Sequence, residues 1–174
     1  MGLLTLLLAF VFFAGVSMTV NEGLWNNTIT VFIIIIAALI AIPWGWIAGL
    51  AVIAAAQPSD ENMWAFFFAG VWGVFALSAT VLRLVGDKLS RVRIRFLPQL
   101  DKFGGVLMGL VVATMFNSFV AVTLLYWPIT AGVWKIEDAS ETQKKTFQRT
   151  AAPIHTAFTK FYGGEFANMV QDKD

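Results

Sequence analysis

Charge is nearly missing from the first half of this chain. All twelve Lys and Arg residues lie at Arg83 or later, and the first 82 residues hold only Glu22, Asp60 and Glu61 as charged groups. Between those charges run long apolar stretches, over 3–20, 29–56, 63–85 and, further on, 103–127. A soluble domain of this length cannot hide so much apolar surface, and large exposed patches would aggregate. Composition agrees: 58% of residues are hydrophobic and 13% charged, against about 25% charged in ordinary soluble domains, and mean hydropathy is +0.73. The expected fold is an all-α integral membrane protein with about four transmembrane helices and a C-terminal amphipathic helix.

A crossing needs about 20 apolar residues at 1.5 Å each to span a core of about 30 Å. The run over 3–20 has no Lys or Arg before it, so it reads as a retained first helix rather than a secretory signal. The run over 29–56 is long for one crossing. Pro43 stands in it beside Trp44 and Trp46; proline bends a helix and Trp favours the lipid–water boundary. A crossing over 29–46 with a re-entrant or interfacial piece over 47–56 is the favoured reading, and one kinked, tilted helix is the other. The third crossing, 63–85, carries Ala65, Ala69 and Gly73 at spacing four. Such a face lets helices approach closely, which predicts packing within the chain first and homodimerisation second. The fourth, 103–127, holds Asn117 and Ser118 mid-span. Polar side chains there bond to a neighbouring helix, or alternatively line a substrate path.

The region from Arg83 to Lys102 is basic, with Arg91, Arg93 and Arg95 alternating with apolar residues. This predicts a short extended segment facing the cytoplasm and anionic lipid. With four crossings the polar tail, 135–174, lies on the opposite side, outside. In the tail, Phe147, Ile154, Phe158 and Phe161 recur with Ala151 at spacings of four and three. They form one face of an amphipathic helix over about 144–162, expected to lie in the membrane interface, with Pro153 an awkward residue in its middle.

No catalytic constellation is present. Cysteine is absent and His155 is the only histidine, which excludes disulfides, thiolate metal sites and thiol nucleophiles. Neither a cofactor nor a metal is expected. The net charge of +1 gives no field for nucleic acid. The expected partners are the lipid bilayer, a second copy, or another membrane protein.

The stretch Asp101-Lys102-Phe103-Gly104-Gly105-Val106-Leu107-Met108-Gly109 resembles the signature of the CvpA (colicin V production) family. There an Asp precedes two glycines at spacing four at the opening of the last span. Glu22 and Trp25 before the second apolar run resemble a further family region, although Asn21 stands where a basic residue is common. The resemblance covers roughly 1–130. It implies a non-enzymatic bacterial inner-membrane protein linked to colicin V production or export and to the cell envelope. On physical grounds Asp101 is placed to cap the start of its own helix, and Gly105 and Gly109 form a packing groove. The alternative is an oligomeric channel or transporter subunit, with Glu22 and Asp101 as an ion site and Arg83 as counter-ion.

Overall fold

The structure is a computed structural model and describes residues 3–57, 63–89, 98–126 and 140–163. Every regular element among them is helical: α1 (Leu3–Thr19), α2 (Leu24–Ala56), α3 (Met63–Leu89), α4 (Pro98–Tyr126) and α5 (Glu141–Tyr162). The loop over 58–62, the alternating segment Arg91–Arg93–Arg95 and the opening of the tail lie outside the described residues.

Three helices are long and apolar enough to cross a membrane, over Leu24–Ala56, Ala65–Lys88 and Gln99–Leu125. Helix α1 is apolar but has 17 residues, about 26 Å of rise, somewhat short of a full hydrocarbon core.

The division of 29–56 into a crossing and a re-entrant piece is corrected. One helix of 33 residues runs from Leu24 through Pro43 to Ala56. Pro43 has no N–H to offer the carbonyl one turn back, that of Leu39. A hydroxyl from α5 takes that place: Tyr162 donates to the Leu39 carbonyl at 3.0 Å. Neighbouring side chains that re-satisfy freed carbonyls are what make proline tolerable inside apolar helices.

Helices α2 and α3 form an antiparallel pair through small residues. A methyl group added at Gly45 would strike the backbone of Val71, and one at Gly70 would stand 2.6 Å from the Gly45 carbonyl. Trp46 stacks on Phe67 at the same level, with ring centroids 4.2 Å apart. The residues of α3 that face inward are therefore Phe67, Gly70, Val71 and Phe75. Ala65, Ala69 and Gly73 point outward, and a Cβ at Gly73 would meet nothing within 4 Å. The expected packing of that face within the chain is corrected: α3 meets α2 and α4 through its other side, and this face stays exposed.

Helix α4 is central. From Asn117 to Leu124 every residue is buried, because α1, the α2–α3 pair and α5 surround that stretch. Phe75 stacks on Phe119 with centroids 4.1 Å apart, and Trp72 packs on both Phe116 and Phe119.

The tail helix is also corrected. Its apolar face is not left for lipid. Phe147, Ala151, Ile154 and Phe158 are buried in the same core as Ala38, Val71 and Phe119. Phe161 lies off that face and is 72% exposed. The helix starts on a capping box, with the Ser140 side chain accepting from the Gln143 N–H while the Gln143 side chain accepts from the Ser140 N–H, which satisfies two free donors at once.

Candidate functional site

Two polar joints hold the helices together, one along the first turns of α4 and one at Ser118. The first is built on the turn between α1 and α2. Helix α2 opens after Gly23, which has no side chain to cap it. Asp101 supplies the cap from across the bundle, its Oδ1 accepting from the Leu24 N–H at 2.9 Å. A carboxylate there also meets the positive end of the α2 dipole. Asp101 thus caps a different helix from the one expected.

One turn along α4, the turn comes so close that a Cβ at Gly105 would lie 2.5 Å from the Glu22 carbonyl. Asn27, buried, donates through Nδ2 to the Gly105 carbonyl at 2.8 Å and the Thr19 carbonyl at 3.0 Å. Another turn on, Thr19 Oγ1 lies 2.9 Å from the Gly15 carbonyl and 3.2 Å from that of Gly109. Gly105 and Gly109 therefore receive α1 and its turn rather than a long helix face. Sequence alone gives Asn27 and Thr19 no specific role. Their only signal is a polar residue at each end of a short break between two apolar runs.

Glu22, Asp101 and Arg83 share this end of the molecule without forming one cluster. The Glu22 side chain is exposed. The Arg83 guanidinium donates to Asn26 Oδ1 at 2.8 Å and Thr30 Oγ1 at 3.0 Å, and its Nε lies 3.3 Å from Asp87. Arg83 is thus the counter-ion of Asp87, four residues along its own helix, and it ties α3 to α2. Among the described residues no group of three His, Cys, Asp or Glu side chains is placed to hold a metal ion.

The second joint seats α5. Ser118, fully buried in α4, donates to the Ala151 carbonyl and accepts from the Ile154 N–H, both at 3.0 Å. These two groups flank Pro153, where a helix loses one backbone bond. The mid-span serine therefore bonds to a neighbouring helix. Its neighbour Asn117 differs: its Oδ1 is buried with no hydrogen-bond partner among the described residues.

Compared with known protein families, curated proteins and solved structures, the chain matches none. The geometry offers helix-to-helix attachment: caps, carbonyl acceptors and close glycine contacts, with no acid–base pair converging on a shared space among the described residues.

Proposed function

We propose that this chain is a non-enzymatic integral membrane protein that works by assembly and contact, of the type that the CvpA resemblance implies. One observation carries this. The residues of the resemblance, Asp101, Gly105 and Gly109, all meet the turn between Thr19 and Leu24. They are consumed in joining α1 and α2 to α4. A carboxylate that accepts from a helix N-terminus is a structural cap first, and two glycines filled by backbone leave no room for a permeating species.

In this reading α1 is a fourth crossing, lying along α4 so that Gly15 meets Ala113 and Thr19 meets Gly109. The membrane is the bacterial cytoplasmic membrane, with the basic segment 86–102 in the cytoplasm and the tail outside, by the excess of Lys and Arg in that segment. The physiological setting is colicin V production or export.

The test is ion flux through the purified protein in liposomes, wild type against Asp101→Asn. Flux no greater than in empty liposomes is expected for both. Wild-type flux that the substitution abolishes would overturn the proposal in favour of a channel using Glu22 and Asp101.

A further inference from the structure

We propose that α5 is a displaceable cover. It is docked across the bundle in this structure, and in a bilayer it leaves for the interface on the tail side, uncovering Asn117 and Ser118. The inference rests on the membrane reading above and adds a switch to it.

The contacts of α5 fix its height on the bundle. Ser118 of α4 bonds to Ala151 and Ile154, and Tyr162 bonds to Leu39 of α2. Phe119 stacks on Phe75, and Val71, one turn back on α3, meets Gly45 of α2. Because α2 and α3 are antiparallel, Phe75 lies level with about Ala41. Ser118 and Leu39 therefore stand at nearly the same height, and α5 passes from one to the other across the bundle.

That height falls inside the apolar belt. From Ser118 the uncharged run of α4 extends back to Phe103 and on to Tyr126, about 22 Å and about 12 Å. From Leu39 the uncharged run of α2 extends back to Leu24 and on to Ala56, about 22 Å and about 26 Å. Helix α3 carries no charge over 63–82, and α1 carries none at all. On the outward side of α5, Lys145, Arg149 and Lys160 are exposed. Among the described residues no carboxylate lies in the belt, so a second copy brings no counter-charge to that depth.

In a bilayer the docked position is the weaker one. Acyl chains are as apolar as the surface that receives Phe147 and Phe158, so docking gains little from them. The three hydrogen bonds of Ser118 and Tyr162 favour docking by about threefold each. One Lys or Arg held at bilayer depth is disfavoured by on the order of a hundredfold, and α5 holds three. At the interface an amphipathic helix keeps its cations in water and its apolar face in lipid. Residues 127–139 separate Tyr126 from the Ser140 cap, and their contour of up to about 45 Å lets α5 pass the Tyr126 end while the bundle stays as it is. Release leaves Ser118 without its two bonds. Beside it stands Asn117, whose Oδ1 has no partner among the described residues even with α5 docked.

The chain contains no cysteine, so a pair of spin labels can be placed at will. Gln99→Cys marks the start of α4 and Thr156→Cys the outward side of α5, both at exposed positions. With α5 docked, the labels lie about 28 Å apart along the bundle; with α5 beyond Tyr126, about 40 Å. Pulsed electron resonance on the full-length protein in vesicles of phosphatidylcholine and phosphatidylglycerol is expected to show the longer distance as the main population. The triple variant Lys145→Gln, Arg149→Gln, Lys160→Gln should restore the short distance, raising the ratio of docked to released by about tenfold or more. Adding Ser118→Ala to that variant should lower the ratio again, by about tenfold. A short distance alone in the protein with its cations intact would overturn the proposal. An aqueous relaxation agent then gives the reason: a label it reaches borders a water-filled recess, and a label it does not reach is covered by protein. The long distance in both proteins would also overturn it, because release would not come from the cations. Flotation after an alkaline wash separates these failures from failure of the membrane reading: a protein extracted by the wash was never embedded, and both readings fall together.

Discussion

At the scale of single residues, backbone groups rather than catalytic side chains set the constraints. Asp101 accepts from a main-chain N–H, so its ability to accept matters more than its charge. Asp101→Asn should therefore keep most of the stability that Asp101→Ala loses, with the alanine variant lower by about 1 kcal/mol; unfolding in mild detergent measures both. If the two variants lose equally, charge is required. Gly105→Ala should be costly because the added methyl meets the Glu22 carbonyl, part of a fixed turn. Gly73→Ala should be neutral or slightly stabilising, since its Cβ enters open space and alanine favours the helix by up to about 1 kcal/mol. Comparable loss in both variants would contradict the outward placement of the Ala65–Ala69–Gly73 face. Asn117 offers a different test. Its buried acceptor has no partner among the described residues, and an unsatisfied buried group costs about 1–3 kcal/mol. Asn117→Leu should accordingly leave the unfolding midpoint unchanged or raise it. A clear fall would show that the amide has a structural partner after all.

At the scale of elements, two prolines explain how α5 is seated. Each interrupts the hydrogen bonding of its helix: at Pro43 a hydroxyl of α5 reaches the freed carbonyl, and beside Pro153 a hydroxyl of α4 bonds to the neighbouring backbone. Tyr162 serves the carbonyl opposite Pro43, and Ser118 serves the groups flanking Pro153. Removing Ser118 takes two hydrogen bonds from the buried face of α5, whereas removing the Tyr162 hydroxyl takes one, near the surface. Ser118→Ala should therefore loosen α5 more than Tyr162→Phe does. Hydrogen exchange over 141–162 reads this directly, about tenfold faster for each 1.4 kcal/mol lost. Unchanged exchange in Ser118→Ala would mean that the apolar face alone holds the helix.

At the scale of the whole molecule, the joints fix which helix ends lie together. The turn after α1, the end of α3 and the start of α4 share one end, since Asp101 caps α2 and Arg83 bonds to Asn26 and Thr30. Single cysteines at the exposed positions Asn21 and Lys88 should accordingly react with a membrane-impermeant maleimide from the same side of sealed vesicles. Labelling from opposite sides would break the antiparallel arrangement of α2 and α3.

The positions of the helices could be read from the sequence, because apolar run length, breaks in charge and the spacing of Phe147, Ile154 and Phe158 are local properties of the chain. The same local pattern showed which α5 residues share a face, but not that the face would be buried in protein. Likewise Asp101 and the glycines at 105 and 109 were recognisable as a cap and a groove, but not what they cap and receive. Those answers join residues far apart: Asp101 and Leu24 are separated by 77 positions, Ser118 and Ile154 by 36, and Tyr162 and Leu39 by 123. Periodicity reports the faces a helix has. Only the packed structure decides which face meets which neighbour, because that choice depends on where the backbone leaves a donor or acceptor without a partner and which distant side chain can reach it.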